Sequence, residues 1–146
     1  MTNQIMLGFQ YLLWQEEGVQ VPLLAPLGHL IVVGGSGSGK STGVLYWLFK
    51  MKRAQINVDL YIMDFKASHE FEGITGQYAE FEDCYSRIVS FYRMFTELEE
   101  GGDGTVKVLL IDEIAGLLMH LGMTKEGKAK ADEIRQIMSS ILMLGR

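Results

Sequence analysis

The run Gly34-Gly35-Ser36-Gly37-Ser38-Gly39-Lys40-Ser41, with Thr42 behind it, joins closely spaced glycines to a lysine and two hydroxyls. Glycine lets the backbone turn so that successive amide N–H groups converge, which makes a nest for an anion. A helix starting at the end of the run adds its positive terminus. The spacing is GxxxxGK[ST], that of a phosphate-binding loop. On this reading Gly34, Gly35, Ser36, Gly37, Ser38, Gly39, Lys40, Ser41 and Thr42 hold the phosphates of ATP. Lys40 reaches the β- and γ-phosphates, the Ser41 hydroxyl ligates a bridging Mg2+, and Thr42 sits beside the α-phosphate. A second group of reactive residues ends the apolar run Val108-Leu109-Leu110-Ile111, where Asp112 and Glu113 follow each other. Asp112 is expected to hold the magnesium through a water, and Glu113 to polarise the attacking water as general base. Such a pair favours hydrolysis over phosphoryl transfer to a small acceptor.

These groups can serve one phosphate chain only if the intervening residues supply the elements that bring them together. Residues 30–33 are β-branched or leucine and run into the glycines, which predicts a buried strand; residues 41–51, with Val44, Leu45, Leu48 and Phe49, predict a helix. Residues 59–63 repeat the strand signal and end at Asp64. Residues 84–100 carry a broad apolar stripe and are stopped by Gly101 and Gly102. A third strand is expected over 106–111, a helix over 114–121, a loop over 122–127 and a helix over 129–144. Ile134, Ile137, Met138, Ile141 and Leu142 face inward on that last helix. Upstream, residues 5–14 and 19–24, with a turn at 15–18, predict a short N-terminal hairpin. Strands alternating with helices point to an α/β domain over 1–146, a mostly parallel sheet with helices on both faces. The interval between Lys40 and Asp112 leaves room for helix, strand and helix, so the two strand ends are expected at one edge of the sheet.

Composition limits the partners. Of 146 residues 48% are hydrophobic, and 18 acidic side chains against 13 basic ones leave a net charge of −5, which disfavours a free-standing polybasic nucleic-acid binder. Contact with phosphates through a few loops remains open. Lys125, Lys128, Lys130 and Arg135 make a local basic patch, either a pore-facing loop on DNA phosphates or a solvated loop and helix start. Lys66, two residues after Asp64, is expected near the nucleotide, at a subunit interface, or simply on the surface. A single cysteine, Cys84, cannot form an internal disulfide and lacks zinc-cluster spacing, so the expectation is a cytoplasmic protein. The apolar stretch 19–33 is broken by Gln20, Pro22, Pro26, Gly28 and His29, and no membrane span is expected.

Taken together, four segments resemble the FtsK/SpoIIIE family of DNA-translocating ATPases over residues 19–146. They are His29-Leu30-Ile31-Val32-Val33-Gly34 entering the phosphate loop, Ile62-Met63-Asp64-Phe65-Lys66, Leu110-Ile111-Asp112-Glu113, and Met143-Leu144-Gly145-Arg146. Phe65 stands where the family often has the proline of Asp-Pro-Lys. The resemblance implies a RecA-like P-loop NTPase core that assembles as a ring, usually a hexamer, around double-stranded DNA and couples ATP hydrolysis to movement along it. Chromosome-segregation pumps and the translocases of conjugative plasmids and transposons share this plan. It also implies a further strand after Arg146 ending in a γ-phosphate-sensing residue, so the expectation is a motor truncated before its last strands. An alternative from the binding class is a fragment or assembly partner that holds nucleotide without turning it over. A small-molecule kinase would need an arginine-rich lid, whereas Arg53, Arg87, Arg93, Arg135 and Arg146 are scattered.

Overall fold

A computed structural model describes residues 4–35, 37–54, 56–98 and 102–144. The chain divides into two compact units, Met1–Ile56 and Asn57–Arg146.

In the first unit, strand β1 (Gln4–Phe9) lies antiparallel to β2 (Pro22–Pro26), with Gln4 opposite Pro26, Phe9 opposite Pro22, and a register shift between Met6 and Gly8. The expected antiparallel pair is therefore present, but a helix joins it instead of a turn at 15–18. That helix, α1 (Tyr11–Glu17), is closed by Gly18 in the left-handed region at φ 68°. The Gly18 and Val19 amides donate to the carbonyls of Trp14 and Leu13, an arrangement that satisfies the last helical acceptors. No residue of α1 is buried, so there was no inward stripe to betray it. Helix α2 (Lys40–Arg53) covers the expected 41–51 and buries Met51. Its Trp47 donates Nε1–H to the Leu7 carbonyl at 2.8 Å, which ties the helix to β1.

The expected strand at residues 30–33 is not formed. The segment has no regular structure, and Ile31 and Val33 are 84% and 87% exposed. Apolar β-branched residues become a strand only when a neighbour accepts their backbone hydrogen bonds. In this unit β1 and β2 pair with each other alone. The pattern predicted burial, and the pairing that would give it is missing here.

The second unit holds β3 (Val58–Asp64), β4 (Gln77–Glu80), α3 (Asp83–Glu97), β5 (Val106–Asp112), α4 (Ile114–Leu121) and α5 (Lys125–Leu144). Its sheet is all parallel in the order β4-β3-β5. The α/β alternation read from the sequence is thus observed, with β4 added; four residues, Gln-Tyr-Ala-Glu, are too short a run to carry a strand signal. Met63 and Ala79 of the sheet share one core with Cys84, Ile88 and Phe91 of α3, Leu117 and Leu121 of α4, and Ala131, Ile134, Ile137 and Ile141 of α5. The α5 set recurs at three- and four-residue steps, the stripe of an amphipathic helix. Tyr61 meets Phe91 edge to face at 5.1 Å between ring centroids.

Helices were expected on both faces of the sheet. In this unit all three contribute to the core on the Met63 face. On the opposite face Asp64 is closed over by the chain after β3, through Ser68 and His69. Helix α5 begins earlier than expected, at Lys125, because the Thr124 hydroxyl accepts the Gly127 amide at 2.9 Å and caps it. The loop predicted over 122–127 shrinks accordingly. Among the described residues, no helix is long and apolar enough to cross a membrane.

Candidate functional site

The glycine-rich segment expected to bind phosphate belongs to the first unit. Gly34, Gly35, Gly37, Ser38, Gly39 and Thr42 are exposed, while Lys40 and Ser41 are half-buried; Ser36 lies outside the described residues. Gly37 and Gly39 take left-handed φ values of 73° and 82°, where a side chain would be strained. At Gly34 a Cβ would stand 2.5 Å from Ser38 Oγ, so a larger residue there would require the serine hydroxyl to turn away. Gly39 ends the loop as the residue before α2, with no side-chain cap and no acidic residue in the first turn. The leading amides of this 14-residue helix have no acceptor within it. A run of glycine backbone that ends in helix-start amides without intrahelical acceptors has the chemistry to take a phosphate group.

Lys40 reaches back across this loop. Its ammonium donates to the Gly34 carbonyl at 2.9 Å and the Gly35 carbonyl at 2.7 Å. Both carbonyls belong to the loop entrance, so the charge is held where incoming phosphate oxygens would take over as acceptors.

Asp112 and Glu113 belong to the second unit, at the carboxyl end of β5. Asp112 is half-buried and lies beside Asp64 of β3, which in turn lies beside Glu80 of β4. Burial raises the Asp112 pKa, and the Asp64 and Glu113 charges raise it further. Glu113 turns the chain from β5 into α4 with φ 61° and ψ 43°, a left-handed conformation uncommon outside glycine. Its carboxylate Oε2 is ion-paired with Lys66 Nζ, and this bond raises the lysine's pKa. Lys66, whose places near a nucleotide, at a subunit interface or on the surface were all open, is 60% exposed and has Glu113 as its partner. Phe65 packs by Gly116, where a Cβ would approach its ring and Glu113 Cγ to 3.3 Å.

The sequence pattern assigns Asp64 no role, yet it is the one fully buried charged residue among the described residues. Its Oδ2 accepts from Tyr78 OH at 2.9 Å, Ser68 Oγ at 3.0 Å and the His69 amide at 3.2 Å, while Oδ1 has no partner among the described residues. Burial, then the bond to Asp64, raises the Tyr78 phenol well above its ordinary value; its single proton is shared between Asp64 and Glu80, whose Oε1 also lies 2.9 Å away. The signal was present in part, because residues 59–64 and 106–112 both read as apolar strands ending in aspartate. The parallel register that sets the two side by side is a tertiary fact.

The candidate DNA contacts are placed differently from expectation. Lys125, Lys128, Lys130 and Arg135 all lie on α5, not on a loop. Lys125 and Lys128 are exposed, with no ion-pair partner among the described residues. Lys130 is half-buried, 3.6 Å from Glu126 and over the Tyr85 ring at 5.4 Å; Arg135 bonds Asp132 at 2.5 Å. Lys130 and Arg135 are thereby engaged within the chain. Among the described residues, no group of three or more His, Cys, Asp or Glu side chains is placed to hold a metal ion. The Gly145-Arg146 junction lies outside the described residues. Comparison with protein-family models, curated proteins and solved structures finds no match to this chain.

Proposed function

We propose that this chain is a Mg2+- and ATP-dependent motor subunit of the FtsK/SpoIIIE type, a RecA-like ATPase that hydrolyses ATP and works as a ring on double-stranded DNA in the cytoplasm. The observation that carries the reading is the glycine cradle of residues 34–41. It is left-handed at Gly37 and Gly39 and open to the uncapped start of α2. Backbone amides of the loop and the first turn of α2 bind the phosphates. Lys40 exchanges its two carbonyl acceptors for phosphate oxygens. The Ser41 hydroxyl, the first hydroxyl in the helix after the glycines, is the ligand this segment would offer to magnesium, which when bound neutralises charge on the transferring phosphoryl group. Glu113 orients the attacking water and accepts its proton. Lys125 and Lys128 are the cations left to meet DNA phosphates, a contact that a ring repeats in each subunit.

A second reading, a chain that binds nucleotide without turning it over, is favoured by one observation: residues 30–33, which lead into the cradle, form no strand. Steady-state ATP hydrolysis with and without double-stranded DNA separates the two. Stimulation by DNA supports the motor; nucleotide binding without hydrolysis in either condition supports the second reading. Lys40→Ala is expected to abolish nucleotide binding, and Glu113→Gln to keep binding while losing turnover. Equal nucleotide affinity of Lys40→Ala and wild type would overturn the role of the cradle.

A further inference from the structure

We propose that Lys66 is the positioning residue of Glu113: its ammonium holds Oε2 of the carboxylate and leaves Oε1 to receive the proton of the attacking water. This rests on the hydrolytic reading above and adds to it a residue that acts through Glu113.

Two turns meet at the carboxyl ends of neighbouring parallel strands. One follows β5 and begins with Glu113 at φ 61°. The other follows β3 and contains Ala67 at φ 50° and His69 at φ 59°. Three non-glycine residues in a left-handed conformation, within two turns that meet through Lys66 and Glu113, are strain that the surroundings must hold in place. The surroundings that do so are visible. The Ala67 amide donates to the Asp64 carbonyl at 3.0 Å, and the Asp64 carboxylate takes Ser68 Oγ and the His69 amide. Phe65 lies against Gly116 and tilts over the His120 ring at 5.6 Å between centroids. Lys66 is thus fixed on both sides along the chain, and its side chain ends on Glu113.

Stability does not account for this arrangement. The Lys66 and Glu113 side chains are 60% and 38% exposed, and ion pairs in contact with water contribute little to folding. Orientation accounts for it. A free glutamate samples several rotamers, whereas one bound through a single oxygen presents the other in a restricted set of directions, which is how a positioned base gains rate. The lysine moves no proton in the step.

The test uses the full chain. Treatment with a water-soluble carbodiimide, which joins an ammonium to a carboxylate with no spacer, followed by peptide mass spectrometry, is expected to show an amide bond between Lys66 and Glu113. Its absence overturns the proposal whatever the activity. Kinetically, Lys66→Ala is expected to lower kcat roughly 10- to 100-fold, with KM and nucleotide affinity unchanged, and Lys66→Arg to restore most of the loss. An unchanged kcat in Lys66→Ala overturns the positioning role. A raised kcat does so too, because it would mean that the lysine withholds the base. Failure of the underlying reading looks different: Glu113→Gln turns over like wild type while the cross-link still forms in the unsubstituted chain.

Discussion

Cys84 sits at the start of α3 with its thiol 3.5 Å from the Ala79 carbonyl, and burial, with the nearby Asp64 and Asp83 charges, pushes its pKa up to about 12. The thiolate is the nucleophile, so at pH 8 native protein should resist iodoacetamide and become alkylated only when urea opens the core. Rapid labelling of the folded chain would contradict this placement. Asp64 gives a second residue-scale prediction. Asp64→Ala strips the acceptor from the Ser68 hydroxyl and the His69 amide and leaves Tyr78 only Glu80, and urea denaturation should find it less stable by roughly 1–3 kcal/mol. At this scale the glycine-rich segment and the helix that follows it were legible because their pattern is written in consecutive residues. Asp64 was not, since its meaning comes from Asp112 and Glu80 on flanking strands and from Tyr78, Ser68 and His69.

At the scale of elements, packing decides. Gly127 enters α5 so close to the end of α4 that a Cβ would lie 2.0 Å from the Leu121 carbonyl oxygen. Backbone cannot yield as a flexible side chain can, so Gly127→Ala is expected to destabilise by about 1–3 kcal/mol, read from the urea midpoint. Ile134→Ala, at a fully buried position of the same helix, should cost about 2–5 kcal/mol. Elements with a long apolar stripe or a continuous apolar run, namely α2, α3, α5, β3 and β5, are legible in the amino-acid pattern. Those that failed lacked such support: α1 buries nothing, β4 has four residues, and residues 30–33 have the right composition but no paired neighbour. Periodicity reports what an element could bury, and partners decide whether it forms.

At the scale of the molecule, the main core cluster falls entirely within residues 57–146. A chain of those residues alone is therefore expected to keep its helical circular dichroism and a cooperative urea transition, with Cys84 still protected. Loss of all three would show that residues 1–56 are needed for that core to form.

The open side of β5 leaves a readable mark. The Val106 amide donates to the Asn57 carbonyl at 2.8 Å, and along a parallel strand successive residues point their backbone groups to alternate sides. Val108 and Leu110 therefore face β3 as Val106 does, whereas Lys107, Leu109 and Ile111 turn their amides outward, where no strand pairs with them among the described residues. In deuterated water β5 should exchange in alternation, every second amide fast and its neighbours slow. A fourth strand laid along that side, from whatever source, would slow those three amides first, so they would count its arrival residue by residue.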